Sequence, residues 1–350
     1  MTGAYGQGYE SGPREPERAR PRLLRTLLLG LLAVLVLAVL IVPLPFVYVV
    51  GPGSALPVED RVELGRSPDP VSGDLLLLTV SLGHPTAAET FSAWLDDNED
   101  VVRRDEVVPP HVDDDEYLRA QRRLFRESGE VASAVGLRAA GLPVQVSGGG
   151  GRLVDVFRGG PAEGKLERGD VVLAVGDQPV QLASDLGTNL SRRSAGDEVT
   201  LTIRRAGAER QVRIRLERVA QLNRPGLGVA VETVEPEISL PFPVEIDQGD
   251  IGGPSAGLMI ALTVYDLVHP GDLTAGRTVA GTGTIDLDGA VGPVGGVRQK
   301  VEAAKDADAD LFLVPVEEAD DARAAAGGDL PVVTVRNFEE AVAHLERPAR

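Results

Sequence analysis

The longest apolar stretch runs from Thr26 to Val50, 25 positions without a charged side chain, and Thr26 to Val42 are almost pure Leu, Val and Ala. About 20 such residues cross a bilayer core as a helix. Pro43 and Pro45 end that helix, and Phe46 and Tyr48 suit an interfacial aromatic belt. The pattern predicts a transmembrane helix over 26–50. The run outlasts the apolar core of a signal peptide, and Ser54-Ala55-Leu56 makes a poor cleavage site. Gly51 to Asp74, rich in Gly, Pro and Ser, reads as a linker, Leu75 to Leu82 as a buried strand and Phe91 to Glu99 as a helix. From Asp113 to Ala140, Tyr117, Leu118, Leu124, Val131 and Val135 recur at helical spacing, and the pattern stops at Gly141.

Between 142 and 219 the character changes to short β-branched runs separated by glycine turns, which predicts a small β-rich module. Residues 226–350 read as mixed α/β. Strand-like VAVETV and FPVEI lead to a polar glycine loop from Asp247 to Gly253 and a helix from Ser255 to Leu267. A strand from Thr278 to Leu287, a helix from Val297 to Ala307 and the strand LFLVP follow.

Composition narrows the function classes. A net charge of -18 argues against a nucleic-acid partner, which needs a clustered basic face. The lack of cysteine excludes disulfides, thiolate nucleophiles and sulfur-ligated zinc. Residues 1–25 carry five Arg against three Glu, so the positive-inside rule places this tail, expected to be disordered, in the cytoplasm and the chain beyond about residue 51 outside. Neither a cofactor nor a metal is expected.

Two stretches carry the chemistry. Gly252-Gly253-Pro254-Ser255-Ala256-Gly257 offers a hydroxyl on a glycine-lined turn at a helix start, where unpartnered backbone N–H groups suit a developing oxyanion. Gly252 and Gly253 leave room for a substrate carbonyl, and Gly253 is expected to support the oxyanion and the substrate's approach. Lys300 stands one turn into a helix that begins at Val297. Of 35 basic residues only Lys165, Lys300 and Lys305 are Lys, and only Lys, not Arg, can become a base. The required fall in its pKa, from ~10.4 to near 7, is roughly 3 units or about 4 kcal/mol, within reach of burial. Val301, Ala303, Ala304 and Ala307 can desolvate the amine, and Lys305 faces elsewhere on the helix. None of His84, His111, His269 and His344 holds a position that compels a catalytic role. Gly253-Pro254-Ser255-Ala256-Gly257 also fits the nucleophile elbow of α/β-hydrolases, but a polar loop precedes it where that fold needs a strand.

GGPSAG and GPVGGVRQK together are similar to the proteolytic domain of Lon-type proteases. That resemblance implies Ser255 as nucleophile, Lys300 as general base and Thr282, within GTGTIDLDGAVGPVGG, as the residue that orients the amine; it also implies a homo-oligomeric ring. Gly160-Pro161-Ala162 followed by Leu166 to Gly176 resembles the PDZ family, which implies an extended peptide added to a sheet edge and a carboxylate-binding loop between Gly141 and Leu153. With the anchor, the chain resembles bacterial membrane-anchored PDZ-Lon proteases. The expected architecture is multi-domain: a tail over 1–25, a transmembrane helix over 26–50, a linker and α/β segment over 51–140 that packs with the protease domain, a PDZ-like module over 141–220 and an α/β Lon-type domain over 221–350. Two departures stand out. Where the ATP-dependent members carry an acidic residue three positions before the nucleophile, this chain has Gly252, with Asp250 two further back. The near P-loop from Gly159 to Lys165 fails at Leu166, where Ser or Thr would reach magnesium. Proteolysis of unfolded or exposed protein segments without ATP is the expected activity, and a catalytically inactive peptide-binding scaffold at the membrane is the alternative.

Overall fold

A computed structural model describes residues 21–219 and 224–347. Most of the expected tail over 1–25 lies outside the described residues. Helix α1 covers Pro21–Ile41. Among the described residues no helix is long and apolar enough to cross a membrane. Within α1 the side chains at 21–24, 33 and 35–39 lie outside the described residues. The helix ends ahead of Pro43 and Pro45, as proline's fixed φ and missing N–H require, and the span expected over 26–50 does not continue as helix to residue 50.

Strands β1 (Val47–Pro57), β2 (Val62–Leu64) and β3 (Asp74–Gly83) follow, then α2 (Ala87–Ala93), β4 (Asp100–Arg103) and the long α3 (Asp114–Ala139). The stretch read as a linker, Gly51 to Asp74, is therefore strand over 51–57 and 62–64, because its first Gly and Pro residues interrupt a run still able to pair beside β3. Helix α2 starts four residues earlier than expected, where Thr86 and Glu89 form a capping box. The contacts divide the chain into two units, 1–50 with 82–107 and 51–81 with 108–350. In the smaller unit the first residues of β1 pair antiparallel with β4, from Val47 opposite Arg103 to Val50 opposite Asp100. Tyr48 is buried there and stacks on His84 with ring centroids 4.2 Å apart, so it forms no aromatic belt.

In the larger unit, the β-rich module holds β5 (Gly151–Val156), β6 (Val171–Val175), α4 (Ala183–Ser191), β7 (Glu198–Arg205), β8 (Ala208–Arg215) and β9 (Val229–Thr233). Its sheet order is β8-β7-β6-β5-β9. The VAVETV run, expected in the following domain, thus closes this sheet by pairing antiparallel with β5. Sequence position hides such a partner because it lies about 75 residues earlier in the chain. Buried Asp170 receives two hydrogen bonds from Arg205, each 2.6 Å, which fixes the turn into β6.

The remaining elements are β10 (Val244–Ile246), α5 (Gly257–Asp266), β11 (Thr278–Gly281), α6 (Val297–Asp306), β12 (Leu311–Pro315), α7 (Ala319–Ala326), β13 (Val332–Val335) and α8 (Phe338–Leu345). Within the larger unit the main sheet runs β13-β12-β11-β3-β1, and β13, β12, β11 and β3 pair in parallel. Its strands are apolar on both faces, as a sheet covered twice must be. Leu75, Leu77 and Leu313 join a core with α3, α5 and α8, whereas Leu76, Leu78, Phe312 and Val314 join one with α6 and α7. The architecture is a three-layer α/β sandwich, and β3 and α3 are part of its layers.

Helices α3 and α5 approach through small residues. A Cβ on Gly136 would lie 2.5 Å from the carbonyl oxygen of Ala261 and 3.0 Å from the nitrogen of Tyr265. Because backbone cannot give way as a side-chain tip can, Gly136→Val should destabilise the protein by about 3 kcal/mol in chemical denaturation. Ala139→Val, on the exposed end of the same helix, should cost less than about 1 kcal/mol.

Candidate active site

Ser255 lies in the turn just before α5, two residues ahead of the observed helix start. Both flanks of this turn are tied down. Ser128 Oγ of α3 donates to the Pro254 carbonyl at 3.1 Å, and the Gly253 N–H donates to the Gln121 carbonyl at 2.9 Å. Gly253 adopts φ +85°, a conformation that glycine alone takes without strain. Its N–H is committed to α3, which corrects its expected part in holding an oxyanion; clearance for an approaching carbonyl is the role left to it. Upstream, Gln248 Nε2 donates to the carbonyls of Arg122 and Ile251, and Asp250 pairs with Arg122 at 3.1 Å. Asp250 therefore serves to hold the loop on α3. Among the described residues, the N–H groups of Ser255 and Ala256 donate to no protein acceptor, so they are the donors available to an oxyanion.

Lys300 comes from the opposite layer. Gly296, in the left-handed region at φ +68°, turns the chain into α6, and its carbonyl accepts the N–H of Lys300 at 3.0 Å. The side chain is only 3% exposed. Burial pushes the amine down to about 8, and the nearby Glu318 charge opposes that fall. Lys305, as expected from the helical period, faces away and bonds Glu302 and the Ala325 carbonyl.

Thr282 joins the two layers. It follows β11 at the carboxyl end of the parallel strands, where ligand sites of open α/β sheets collect. Its N–H donates to Leu313 of β12 at 3.0 Å, and its side chain is fully buried. The Lys300 amine donates to Thr282 Oγ1 at 3.0 Å, and Thr282 Oγ1 donates in turn to the Ser255 carbonyl at 3.1 Å. Gly283 N–H reaches the same carbonyl at 2.9 Å. The amine is thus two hydrogen bonds from the backbone of Ser255, with no histidine intervening. His84 and His269 stack on Tyr48 and Tyr265, His344 belongs to α8, and His111 is exposed.

The β-rich module presents a second site. A groove of about 160 Å³ is lined by Leu186, Gly187 and Leu190 of α4 and by Leu227, Val229 and Val231. Strand β9 is the last of its sheet, so its outer edge is open. The N–H groups of Leu227 and Gly228 donate to no protein acceptor among the described residues, and Gly228 has φ +72°. The loop expected to bind a carboxylate, between Gly141 and Leu153, differs: Gly149 and Gly150 spend their N–H groups on the carbonyls of Val234 and Gln181. The sequence signal for the better-placed loop was Gly226-Leu227-Gly228 ahead of a β-branched run, and it was missed because that run was read into the next domain. The near P-loop is a turn of this module, with Leu166 buried in its core.

Comparison with known proteins finds two domain families in this chain. Residues 138–216 match the PDZ domain family, and residues 244–345 match the Lon protease (S16) C-terminal proteolytic domain. Lon protease 2 of Bacillus subtilis is 32% identical over 114 residues, covering 33% of this chain and 19% of that protein. The archaeal Lon protease of Archaeoglobus fulgidus is 33% identical over 97 residues, covering 27% and 15%. The chain therefore spans less than a fifth of the length of these relatives. The PDZ domain of the SdrC-like protein from Listeria monocytogenes, a solved structure, is similar at 20% identity and a TM-score of 0.22, over 23% of this chain and 86% of that one. The chain carries a PDZ domain and, after it, a Lon-type serine protease proteolytic domain.

Proposed function

We propose that this protein is a membrane-anchored serine endopeptidase that uses Ser255 and Lys300 to hydrolyse exposed or unfolded protein segments without ATP. The observation that carries the reading is the buried, depressed Lys300 amine linked through Thr282 to the Ser255 backbone. Neutral Lys300 takes the proton of Ser255 Oγ as the oxygen bonds to the scissile carbonyl carbon. The resulting ammonium returns that proton to the leaving amine, and water then cleaves the acyl-enzyme by the same route in reverse. The N–H groups of Ser255 and Ala256 hold the oxyanion. Assembly into a homo-oligomeric ring belongs to the same reading. Ser255→Ala and Lys300→Arg should each lower cleavage of an unfolded test protein by a factor of about 10³ or more, with thermal unfolding unchanged and no response of the parent to added nucleotide. Retained cleavage by either variant sinks the pair.

The PDZ domain recruits the substrate by taking an extended C-terminal peptide along β9. Its apolar side chains enter the groove against α4 and its carboxylate meets the N–H groups of Leu227 and Gly228. In the Ser255→Ala protein, a peptide with a free apolar C-terminus should bind roughly tenfold tighter than its amidated form, and Gly187→Phe should erase the difference. Equal affinity for both forms would exclude this mode.

Membrane attachment rests on where apolar surface is exposed. Every large apolar side chain more than half exposed among the described residues belongs to the smaller unit: the Leu-rich run of α1, Ile41, Val42, Phe46, and Phe91, Trp94 and Leu95 at α2. Exposed patches of this kind mark contact surfaces. Trp94, 74% exposed, is the single tryptophan of the chain and so reports on this surface alone. In flotation with vesicles containing brominated acyl chains, the full chain should float and its emission should be quenched. A chain that stays in the aqueous fraction refutes the anchor, and one that floats with unquenched Trp94 refutes the part given to α2.

A further inference from the structure

Beyond the two residues of the proposed proton transfer, the carboxyl edge of the parallel sheet brings a third ionisable group to the site. Gly281 of β11 lies opposite Leu313 of β12. One residue past Gly281 the chain reaches Thr282, and past Pro315 it makes a single 3₁₀ turn, Val316–Glu318, before α7. Glu318 therefore emerges on the edge that carries Thr282. Its carboxylate accepts the N–H of Val294, in the loop that ends at Gly296 and sets the start of α6. The remaining oxygen, Oε2, is buried with no hydrogen-bond partner, and it is the one side-chain polar atom in that condition among the described residues. A buried acceptor left unpaired calls for a reason.

We propose that Glu318 is a positioning residue of the protease site, whose carboxylate steadies the ammonium that Lys300 becomes while its bond to Val294 holds the loop that aims Lys300. This rests on the assignment of Lys300 as the base. When the proton leaves Ser255 Oγ for Lys300 Nζ, a positive charge appears in a pocket that has excluded water, and a negative one appears on the oxyanion. A carboxylate nearby compensates the first without entering any covalent step. The cost falls on Glu318, whose own proton affinity is raised by burial and then by the charges of Glu317 and Asp321. Its field at Lys300 favours the charged amine. On the same two helices Lys305 pairs with Glu302 and Arg323 with Asp320.

Glu318→Gln separates the two functions, since the amide oxygen still accepts from Val294 while the charge is gone. The chain has three lysines, so lysine labelled with ¹³C at Cε gives a spectrum simple enough to follow Lys300. In the Ser255→Ala protein that resonance should titrate near pH 8, and adding Glu318→Gln should lower its midpoint by about half a unit or more. With Ser255 present, the acid limb of kcat/KM should move down by the same amount, KM should stay constant and the plateau of kcat should fall about threefold, because a weaker base removes the proton less well. Glu318→Ala, which also frees the Val294 N–H, should lose more of kcat. A Lys300 midpoint unmoved by Glu318→Gln overturns the inference even if the parent is an active Ser-Lys protease. Loss of the Ser-Lys assignment itself would show separately, as cleavage retained in Ser255→Ala. Should Glu318→Gln not fold, Glu318→Asn provides the same neutral acceptor on a shorter arm, and an unmoved midpoint there has the same meaning.

Discussion

The hydrogen bond from the Lys300 amine to Thr282 Oγ1 is the contact on which the site depends. An amine 3% exposed loses most of its hydration, and a neutral amine that still has a hydroxyl partner avoids the full penalty of an unpaired polar group. Thr282 suits the place because its hydroxyl can accept from Lys300 and donate to Ser255 at once, and because β-branching limits its rotamers. Depression of the amine and placement of Ser255 are therefore one arrangement. Any change that lets water reach Lys300 raises its proton affinity and loosens the turn at Ser255 together.

The two residues come from different layers of the sandwich. Ser255 is carried by the layer of α3, α5 and α8, and Lys300 by that of α6 and α7, with the sheet between. Only at the carboxyl ends of the strands can groups from both layers meet without passing through the core, and Thr282 stands there. This explains why the α3–α5 seam matters to chemistry some distance away. Close contact at Gly136 sets the depth of α5, while Ser128 and Gln121, on the same α3, fix Pro254 and Gly253 beside the serine.

Local patterns were legible where local physics decides them. The period from Tyr117 to Val135 predicts α3 almost to the residue, and the LLLL run predicts β3, because a strand covered on both faces has no polar side to show. The segments GGPSAG and GGVRQK single out Ser255 and Lys300, which the fold links through Thr282. What failed was long-range pairing. Val229 to Thr233 alternates as any strand does, and nothing in it names β5 as its neighbour. Gly253 sits at φ +85°, which the sequence does not show, and the use of its N–H depends on Gln121, more than 130 residues away. Glu318 carried no signal, being one acidic residue in an acidic stretch, and only its buried Oε2 sets it apart.

Placing Val229 to Thr233 in the PDZ sheet also changes how the two domains are joined. Had the PDZ domain ended near residue 220, a tether would have separated it from the protease domain. Instead the chain passes from β9 through short paired segments without free length. Val234 N–H bonds the Gly150 carbonyl, Glu237–Ser239 pairs with Gln145–Ser147, and β10 pairs with β2. Asp247 N–H then bonds the Arg61 carbonyl, and Gln248 begins the loop that holds Ser255. A displacement of β9 cannot be taken up by slack in such a connection; it must be absorbed by breaking one of these pairings or be passed to the next. The open edge of β9 and the turn that carries Ser255 are thus consecutive parts of one hydrogen-bonded strip.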